Sequence, residues 1–433
     1  MRSSKLLAFT LSAAAVAGFT GTARAATAGP PEPVTAWIER NATRLTTVDP
    51  RAPLGDLAPL RRTVGGATIV GLGESTHGAS EQAKLKHRVV RLLVEQMGFR
   101  SIAWEDDWTL GLQLNDYILT GKGDPEAILR ETGWQSREML DLLKWLRAYN
   151  ASHHDKVRFF GVEYFATRPV AYDAIAAYTA KVAPERLPAI RKHLRALRPF
   201  TSDMGRYVQW YWKEVDDKRP YIRRARRLRS LVERLPHRPG DRAHEVTLHH
   251  ARQIVSFHEH FSLPDNDGYN YREVRAAENL RWWRTFSRDK VVYWAASPHT
   301  VNAPKLRITL PPGPDMTFAS TGSYLRRWYG QRYRSIGFTF DHGAISGEPG
   351  GPPLQAPPAR RHWFEYPFGR VGSDQFMLDL RTDAPSAVRR WLTAPATTRG
   401  LVWQESSTMT GGSPAQWFDA IVHRQTISPQ RPL

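Results

Sequence analysis

Short apolar segments alternate with amphipathic helical segments along the chain, and this alternation constrains the fold more than any other feature. Helical patterns at residues 85–97 and 137–150 separate the early apolar segments. The strand-type segments lie at residues 67–74, 100–105, 157–163, 290–297, 333–340, 376–380, 401–404 and 417–422. Strands that alternate with helices form a parallel sheet covered by helices. We therefore predict an α/β fold with a central, mostly parallel sheet flanked by helices.

Two long segments depart from this alternation. Residues 171–287 contain charged, amphipathic helical patterns and no good strand candidate, so we predict a helical insertion or subdomain there. Residues 342–358 are rich in Gly and Pro and predict a long surface loop. Both segments would belong to one α/β domain that spans residues 26–433.

The first 25 residues have the pattern of a secretory signal peptide. A basic start with Arg2 and Lys5 precedes an apolar stretch that ends in Ala23-Arg24-Ala25. We expect cleavage after Ala25 and secretion of the mature chain, the alternative being an uncleaved anchor. The chain has no cysteine, which excludes disulfides, cysteine nucleophiles and cysteine metal ligands.

The chain is strongly basic, with a formal charge of +19 that becomes +16 once the signal peptide is removed. Such a charge favours anionic partners, and we expect electrostatic association with an anionic cell envelope. The densest basic cluster, at residues 223–229, has the apolar spacing of an amphipathic helix with one solvated face. No nucleic-acid recognition motif accompanies the cluster, so nucleic acid is not a predicted partner.

Carboxylates and imidazoles follow four of the predicted strands. Glu74 and His77 follow the first, Glu105 and Glu163 end the next two, and His299 follows the strand at residues 290–297. Ligands of open α/β sheets bind beyond the carboxyl ends of the strands. We therefore predict that these side chains face one cleft. The alternatives are a helix-capping Glu74, an ordinary loop His77 and a solvated acidic run that begins at Glu105.

Common catalytic motifs do not fit the segment Gly71-Leu72-Gly73-Glu74-Ser75-Thr76-His77-Gly78. A dinucleotide fingerprint would need glycine at Thr76, and a nucleophile elbow would need glycine at His77. The segment also lacks the lysine of a phosphate-binding loop. A serine hydrolase of the common type is therefore not supported.

Two further segments contain residues of interest. The histidines of residues 249–260 diverge around a helix, which favours a solvated helix face over a metal site. Arg272 follows a polar loop, and we place it in the first turn of a helix, where the helix dipole disfavours a cation. A cleft carboxylate would be a suitable partner for Arg272, the alternative being a surface arginine.

Taken together, these motifs resemble those of the erythromycin esterase family. The resemblance extends from about residue 65 to the C-terminus. Its residues are Gly71–Gly78 with Glu81, Glu105, Arg272-Glu273, Ala277-Glu278-Asn279, residues 290–299, residues 321–340 and residues 378–381. The resemblance implies an α/β core with a helical part, a deep cleft, and hydrolysis of a lactone or related ester without a cofactor, a metal or a covalent intermediate.

The resemblance also implies roles for individual residues. His77 is similar to the general base of the family, with Glu74 beside it and with Glu105 and His299 in the site. Lys86 or Arg88 matches a basic residue that the family places about two helical turns after the histidine. Glu163 and Arg272 would contact the small-molecule ester or lactone. These roles are carried over residue by residue from the motifs.

Two positions depart from the family pattern. Ala296 stands where a second histidine is usual, and Glu163 stands where an aspartate is more usual. Both departures argue against a macrolide as the substrate.

Two other functions are compatible with the same residues. One is non-hydrolytic binding or modification of a secondary metabolite or an anionic envelope polymer on the same scaffold. The other is a metal hydrolase that uses the same carboxylates and histidines, since these are common ligands of divalent ions.

Overall fold

The structure is a computed structural model that describes residues 32–309, 313–347, 351–400 and 407–433. The predicted signal peptide and the strand predicted at residues 401–404 lie outside the described residues. Its α-helices are α1 (Glu32–Asn41), α2 (Leu60–Val64), α3 (Ser80–Met97), α4 (Trp108–Thr120), α5 (Pro125–Leu129), α6 (Arg137–Ser152), α7 (Pro169–Val182), α8 (Leu187–Leu197), α9 (Met204–Gln209), α10 (Arg219–Glu233), α11 (Arg242–His260), α12 (Asp265–Ser287), α13 (Ser297–Thr300), α14 (Thr321–Tyr329), α15 (Ser386–Thr393) and α16 (Pro414–Trp417).

The strands come mainly from the beginning and the end of the chain. They are β1 (Thr43–Arg44), β2 (Ile69–Glu74), β3 (Phe99–Asp107), β4 (Arg158–Glu163), β5 (Lys290–Ala296), β6 (Leu306–Thr309), β7 (Met316–Phe318), β8 (Tyr333–Ile345), β9 (Leu354–Ala356), β10 (Gln375–Asp379), β11 (Thr398–Arg399), β12 (Thr408–Thr410) and β13 (Ala420–Ile427). Single 3-10 turns lie at Gly55–Leu57, Pro184–Arg186, Gly330–Arg332 and Phe368–Arg370, and a π-helical turn at Trp210–Glu214.

The described residues group into two compact units. The smaller unit comprises residues 103–133 and 158–288, and the larger unit comprises residues 32–102, 134–157 and 289–433 with the gaps given above. Strand β3 begins in the larger unit at Phe99 and ends in the smaller unit at Asp107.

The larger unit is built on a sheet with the strand order β1-β10-β13-β8-β2-β5, and β9 pairs with β8. The central pairs β13–β8, β8–β2 and β2–β5 are parallel, whereas the pairs at β1, β10 and β9 are antiparallel. A second, antiparallel sheet has the order β11-β12-β6-β7. The prediction of a central, mostly parallel sheet is confirmed. The central strands are buried, as strands of parallel sheets usually are.

Strand β2 includes Gly71 and Gly73, within the strand predicted at residues 67–74. Every residue from Ile69 to Glu74 is buried and pairs with both β5 and β8. The glycines are needed for close packing, because Ser297 and Thr300 of α13 lie against the faces of Gly71 and Gly73. A Cβ on Gly73 would stand 2.9 Å from the Ser297 Cα atom. Glu74 is therefore the last residue of a rigid strand.

We expect Gly73→Ala to lower the free energy of unfolding by about 1–3 kcal/mol, because an added methyl group overpacks the contact with α13. Gly66→Ala is the matched control, since nothing lies within 4 Å of the Cβ position at Gly66. Urea unfolding of both variants measures the difference. Equal stability of the two would show that α13 moves away at little cost.

Two sequence predictions are corrected at the level of secondary structure. The predicted loop at residues 342–358 is partly a hairpin, because β8 extends to Ile345 and Gly343 pairs with Ala356 of β9. The strand predicted at residues 417–422 begins only at Ala420, after α16 has ended at Trp417. Pro414 at the first position of α16 suits a helix start, which explains the change.

The smaller unit is dominated by helices, and residues 169–288 contain no strand. Helices α7, α8, α10 and α11 share a core that includes Leu194, Ala225, Leu228 and Ile254. The cluster at residues 223–229 is therefore the solvated side of α10. None of the described helices is long and apolar enough to cross a membrane.

The histidines of α11 are buried, so the prediction of a solvated helix face is wrong for them. His249, His250 and His258 are each less than 4% exposed. Burial lowers the pKa of His258 to about 3 and that of His250 to about 4. His250 accepts a hydrogen bond from Trp108 Nε1 at 3.1 Å, and His249 stacks on Trp282. These neutral rings are core residues, and helical spacing alone did not reveal the aromatic side chains that cover them.

Candidate active site

Glu74 and His77 form a carboxylate–imidazole pair at the end of β2. His77 Nδ1 lies 3.1 Å from Glu74 Oε1. Because a carboxylate only accepts, this contact assigns the proton to Nδ1 of a neutral ring and leaves a lone pair on Nε2. The side chain of Glu74 is 5% exposed and that of His77 is 30% exposed. A fixed carboxylate thus orients an imidazole that water can reach.

Lys86, from the second turn of α3, completes this pair. Its Nζ donates to Glu74 Oε2 and, at 3.3 Å, to the backbone oxygen of Ala295. The Lys86 side chain is 1% exposed, and its ammonium lies 4.2 Å from the centre of the Trp294 ring. A buried ammonium on Glu74 keeps that carboxylate ionised, since an opposite charge at short range favours the charged form.

Arg88 lies on the same helix but has different partners. Its guanidinium binds both carboxylate oxygens of Asp56, at 2.7 and 3.0 Å, and the backbone oxygens of Thr47 and Pro53. The side chain is fully buried. Of the two alternatives, Lys86 is therefore the residue at Glu74, and Arg88 anchors the chain segment before α2.

His299 lies at the same edge of the sheet as Glu74. Strands β2 and β5 are parallel neighbours, and Glu74 pairs with Ala296. The short helix α13 follows at once and holds His299, which is 8% exposed. Ser297 Oγ donates to the backbone oxygen of Gly73 at 2.9 Å and so fixes α13 to β2. The structure thus brings Glu74, His77 and His299 to one edge of the larger unit.

The smaller unit contains a second charged group, in which Arg272 binds two carboxylates. Arg272 Nη2 lies 3.1 Å from Glu105 Oε1 at the end of β3, and Arg272 Nε donates to Glu163 Oε1 at the end of β4, at 3.0 Å. All three side chains are at most 15% exposed. Burial alone would lower the pKa of Arg272, but the Glu163 and Glu105 carboxylates raise it well above its ordinary value.

Arg272 therefore has carboxylate partners and is not a free surface arginine, whereas its predicted place in the helix is wrong. Helix α12 begins at Asp265, so Arg272 lies in its third turn, beyond the reach of the dipole at the helix start. The Asp- and Asn-rich segment read as a loop is the first turn of α12. Acidic residues favour that position.

The acidic run at residues 105–107 is not a solvated surface. Asp107 caps α4, because its carboxylate accepts from the backbone nitrogens of Thr109 and Leu110. Asp106 lies between Asp107 and the ion-paired Glu105. Burial raises the pKa of Asp106 to about 7. Three adjacent carboxylates thus have three environments, which their sequence does not distinguish.

Aromatic side chains complete the larger unit's site, and sequence reasoning did not assign them. The Trp134 ring lies 4.9 Å from the His77 ring in an edge-on arrangement, and Trp294 lies beneath Lys86. Trp294 sits two residues before Ala296 in β5, so its strand position was a usable signal. Trp134 comes from a distant loop, and no local pattern points to it.

The contacts of Glu74 argue against a metal ion on this residue. Lys86 occupies one carboxylate oxygen and His77 the other. An ammonium beside a carboxylate competes with a divalent cation for the same oxygen atoms.

Comparison with known proteins identifies relatives over most of the chain. A model of the erythromycin esterase family matches residues 94–427, a range that begins after Glu74, His77 and Lys86. Erythromycin esterase type II of Escherichia coli is 32% identical over 110 residues, 25% of this chain and 26% of that protein. YbfO of Bacillus subtilis (strain 168) is 23% identical over 61% of this chain and 62% of that protein. The matched part of the chain thus spans less than two thirds of the length of either relative.

Solved structures match nearly the whole chain. A Bacillus cereus protein has a TM-score of 0.80 at 28% identity and covers 92% of this chain and 98% of its own. A succinoglycan biosynthesis protein has a TM-score of 0.78 at 26% identity, covering 92% and 97%. A mutant of the erythromycin esterase EreC in its open conformation has a TM-score of 0.66 at 17% identity, covering 90% and 98%, and is similar in fold.

Proposed function

Because the chain belongs to the erythromycin esterase family, we propose that it is an exported hydrolase that cleaves an ester or lactone without a metal ion or a covalent intermediate. The observation that carries this proposal is the Lys86–Glu74–His77 arrangement at the end of β2. Family membership supports the hydrolase class. The roles of individual residues, the substrate and the export are our proposals.

His77 is the general base of the proposed reaction. An imidazole with an ordinary pKa near 6.5 accepts a proton from water at neutral pH. Glu74 holds the proton of Nδ1 and stabilises the imidazolium that forms, as a carboxylate does in a catalytic triad. Lys86 keeps Glu74 ionised and in place. Lys86 and Glu74 thus both support the basicity of His77 Nε2.

Water and His77 account for every proton transfer in the proposed hydrolytic step. The water oxygen attacks the carbonyl carbon while its proton passes to His77 Nε2. The carbon–oxygen bond of the ester then breaks, and the proton passes from the imidazolium to the leaving alkoxide. We propose that His299 stabilises charge on the carbonyl oxygen or leaving group. Glu105, Glu163 and Arg272 keep, as proposals, the catalytic and substrate-binding roles that the resemblance implies.

A substitution at Lys86 tests the orienting role of Glu74. We expect Lys86→Met to lower kcat by about 10²-fold, because a buried carboxylate without its cation takes up a proton and no longer stabilises the imidazolium. Lys84→Met is the matched control on the same helix, since no ion pair of Lys84 is found among the described residues. Steady-state kinetics measure both. An unchanged kcat in Lys86→Met would remove Lys86 from the mechanism.

The substrate class is tested with a panel of compounds. The mature protein is incubated with erythromycin, simple lactones and aryl esters, with and without a chelator, and the products are followed by mass. We expect a gain of one water mass for at least one lactone or ester, with the same rate in chelator. The departures at Ala296 and Glu163 lead us to expect slower turnover of the macrolide than of smaller lactones. Complete loss of activity in chelator would contradict the proposal.

A further inference from the structure

Helices α8 and α10 of the smaller unit form a continuous basic surface. The two helices pack side by side through Ile190, Leu194, Leu228 and Val232, and their other faces are exposed. Burial and the neighbouring Arg224, Arg227 and Lys192 cations lower the pKa of His193, which shows that cations of both helices surround this ring. We name this face the α8–α10 surface. The exposed cations that meet around His193 are Lys192, Arg224 and Arg227.

These three cations differ from several neighbours in that no ion pair of theirs is found among the described residues. Arg198 binds Asp173, Arg219 binds Asp217, Arg226 binds Glu259, and Arg229 lies near Glu233. These ion pairs neutralise the arginines at the edge of the α8–α10 surface. The centre keeps its positive charge, and α8 contains no acidic residue. Three like charges around one ring repel one another, a cost that an anionic ligand would relieve.

An aromatic group continues the surface beyond the end of α8. Phe200 is 57% exposed, and its ring stands edge-on to Trp210 at 5.1 Å. The Arg206 guanidinium lies 6.0 Å from the centre of the Phe200 ring. Among the described residues, Phe200 and Val170 are the two large hydrophobic side chains that are exposed.

We propose that the α8–α10 surface binds an anionic polysaccharide, with its arginine and lysine side chains on carboxylate or sulfate groups and Phe200 against a sugar ring. Arginine binds such oxyanions through two parallel hydrogen bonds. A membrane is a poorer partner, because the exposed face of α8 and α10 has no large apolar side chain to insert. Single-stranded nucleic acid needs a row of stacking rings, whereas Phe200 is the one strongly exposed ring here.

Binding of the full-length mature protein to polygalacturonate and to dextran sulfate tests this proposal, with neutral dextran as the reference. The charge-reversal variant Lys192→Glu/Arg224→Glu/Arg227→Glu should weaken binding to either anionic polymer by about tenfold or more at about 0.1 M salt. Phe200→Ser should weaken it by about threefold without a change in charge. Hydrolase activity toward a small ester should stay unchanged in both variants, because none of these residues belongs to the proposed catalytic machinery.

The matched control is Arg61→Glu/Arg62→Glu/Arg389→Glu, which makes the same change in net charge with exposed arginines of the larger unit. This control should keep the affinity of the wild type. Equal losses in the two triple variants would overturn the proposal and assign binding to net charge alone. Tighter binding to phosphatidylglycerol vesicles or single-stranded DNA through the same three residues would overturn it in favour of a membrane or a nucleic acid. Circular dichroism checks that every variant is folded.

Discussion

Replacement of His77 by alanine should abolish most of the hydrolytic activity and leave the fold intact. We expect kcat to fall by about 10²–10⁴-fold, the usual contribution of a positioned general base. The side chain of His77 is 30% exposed, so its loss should change the free energy of unfolding little. Steady-state kinetics and thermal unfolding measure the two effects on the same preparation.

The matched control is a second histidine–carboxylate pair in the larger unit. His342 Nδ1 lies 2.9 Å from Asp341 Oδ2, nearly the same contact as in the Glu74–His77 pair. His342 is on β8, four residues beyond Phe338, the sheet partner of Glu74, and we assign it no role in the reaction. His342→Ala should retain the activity of the wild type. If both alanine variants lose activity equally, the loss reflects damage to the larger unit, and His77 is not the base.

Replacement of Arg272 by alanine should be the most damaging single change to the stability of the smaller unit. The change leaves Glu105 and Glu163, with side chains 7% and 2% exposed, without their shared cation. Removing one member of a buried ion pair costs about 3–5 kcal/mol, because the remaining charge is left in a poorly solvated site. Urea unfolding, followed by the fluorescence of the tryptophans, measures the loss.

The pH dependence of that loss has a definite sign. Without Arg272, burial disfavours the ionised form of both carboxyl groups in the folded state. A raised carboxyl pKa destabilises the fold most where the group is ionised, so the deficit should be largest above neutral pH and shrink as the pH falls. Arg198→Ala is the control in the same unit. Its partner Asp173 is 63% exposed, and the pair should contribute less than about 1 kcal/mol.

Much of the fold was predictable because strand and helix periodicities are local properties of the sequence. The parallel sheet, α3, α6 and the strands that contain Glu74, Glu105 and Glu163 follow from such patterns. The sequence is less informative where residues distant along the chain determine the packing around a position or the burial of a side chain. The need for glycine at position 73 of β2 comes from α13, more than two hundred residues later, and no local pattern shows it. The buried histidines of α11 depend on Trp108 and Trp282 in the same way.

The candidate site was predictable as a set of residue types but not as a set of contacts. The strand ends indicated Glu74 and His77, and the resemblance supplied the basic residue as Lys86 or Arg88. Only the structure separates these two, because their side chains leave α3 in different directions and meet Glu74 and Asp56. The prediction that Glu105 and Glu163 face the same cleft as Glu74 stays a prediction.

A single-turnover hydrolysis in ¹⁸O-labelled water tests the central claim most directly. The most reactive ester from the panel is mixed with an excess of the wild-type protein, and both the acid product and the digested protein are analysed by mass. Direct attack on the ester carbonyl by a water that His77 deprotonates predicts one ¹⁸O atom in the acid from the first turnover and an unlabelled Glu74. An unlabelled first product together with ¹⁸O in the Glu74 carboxylate would show a covalent acyl intermediate and contradict the mechanism.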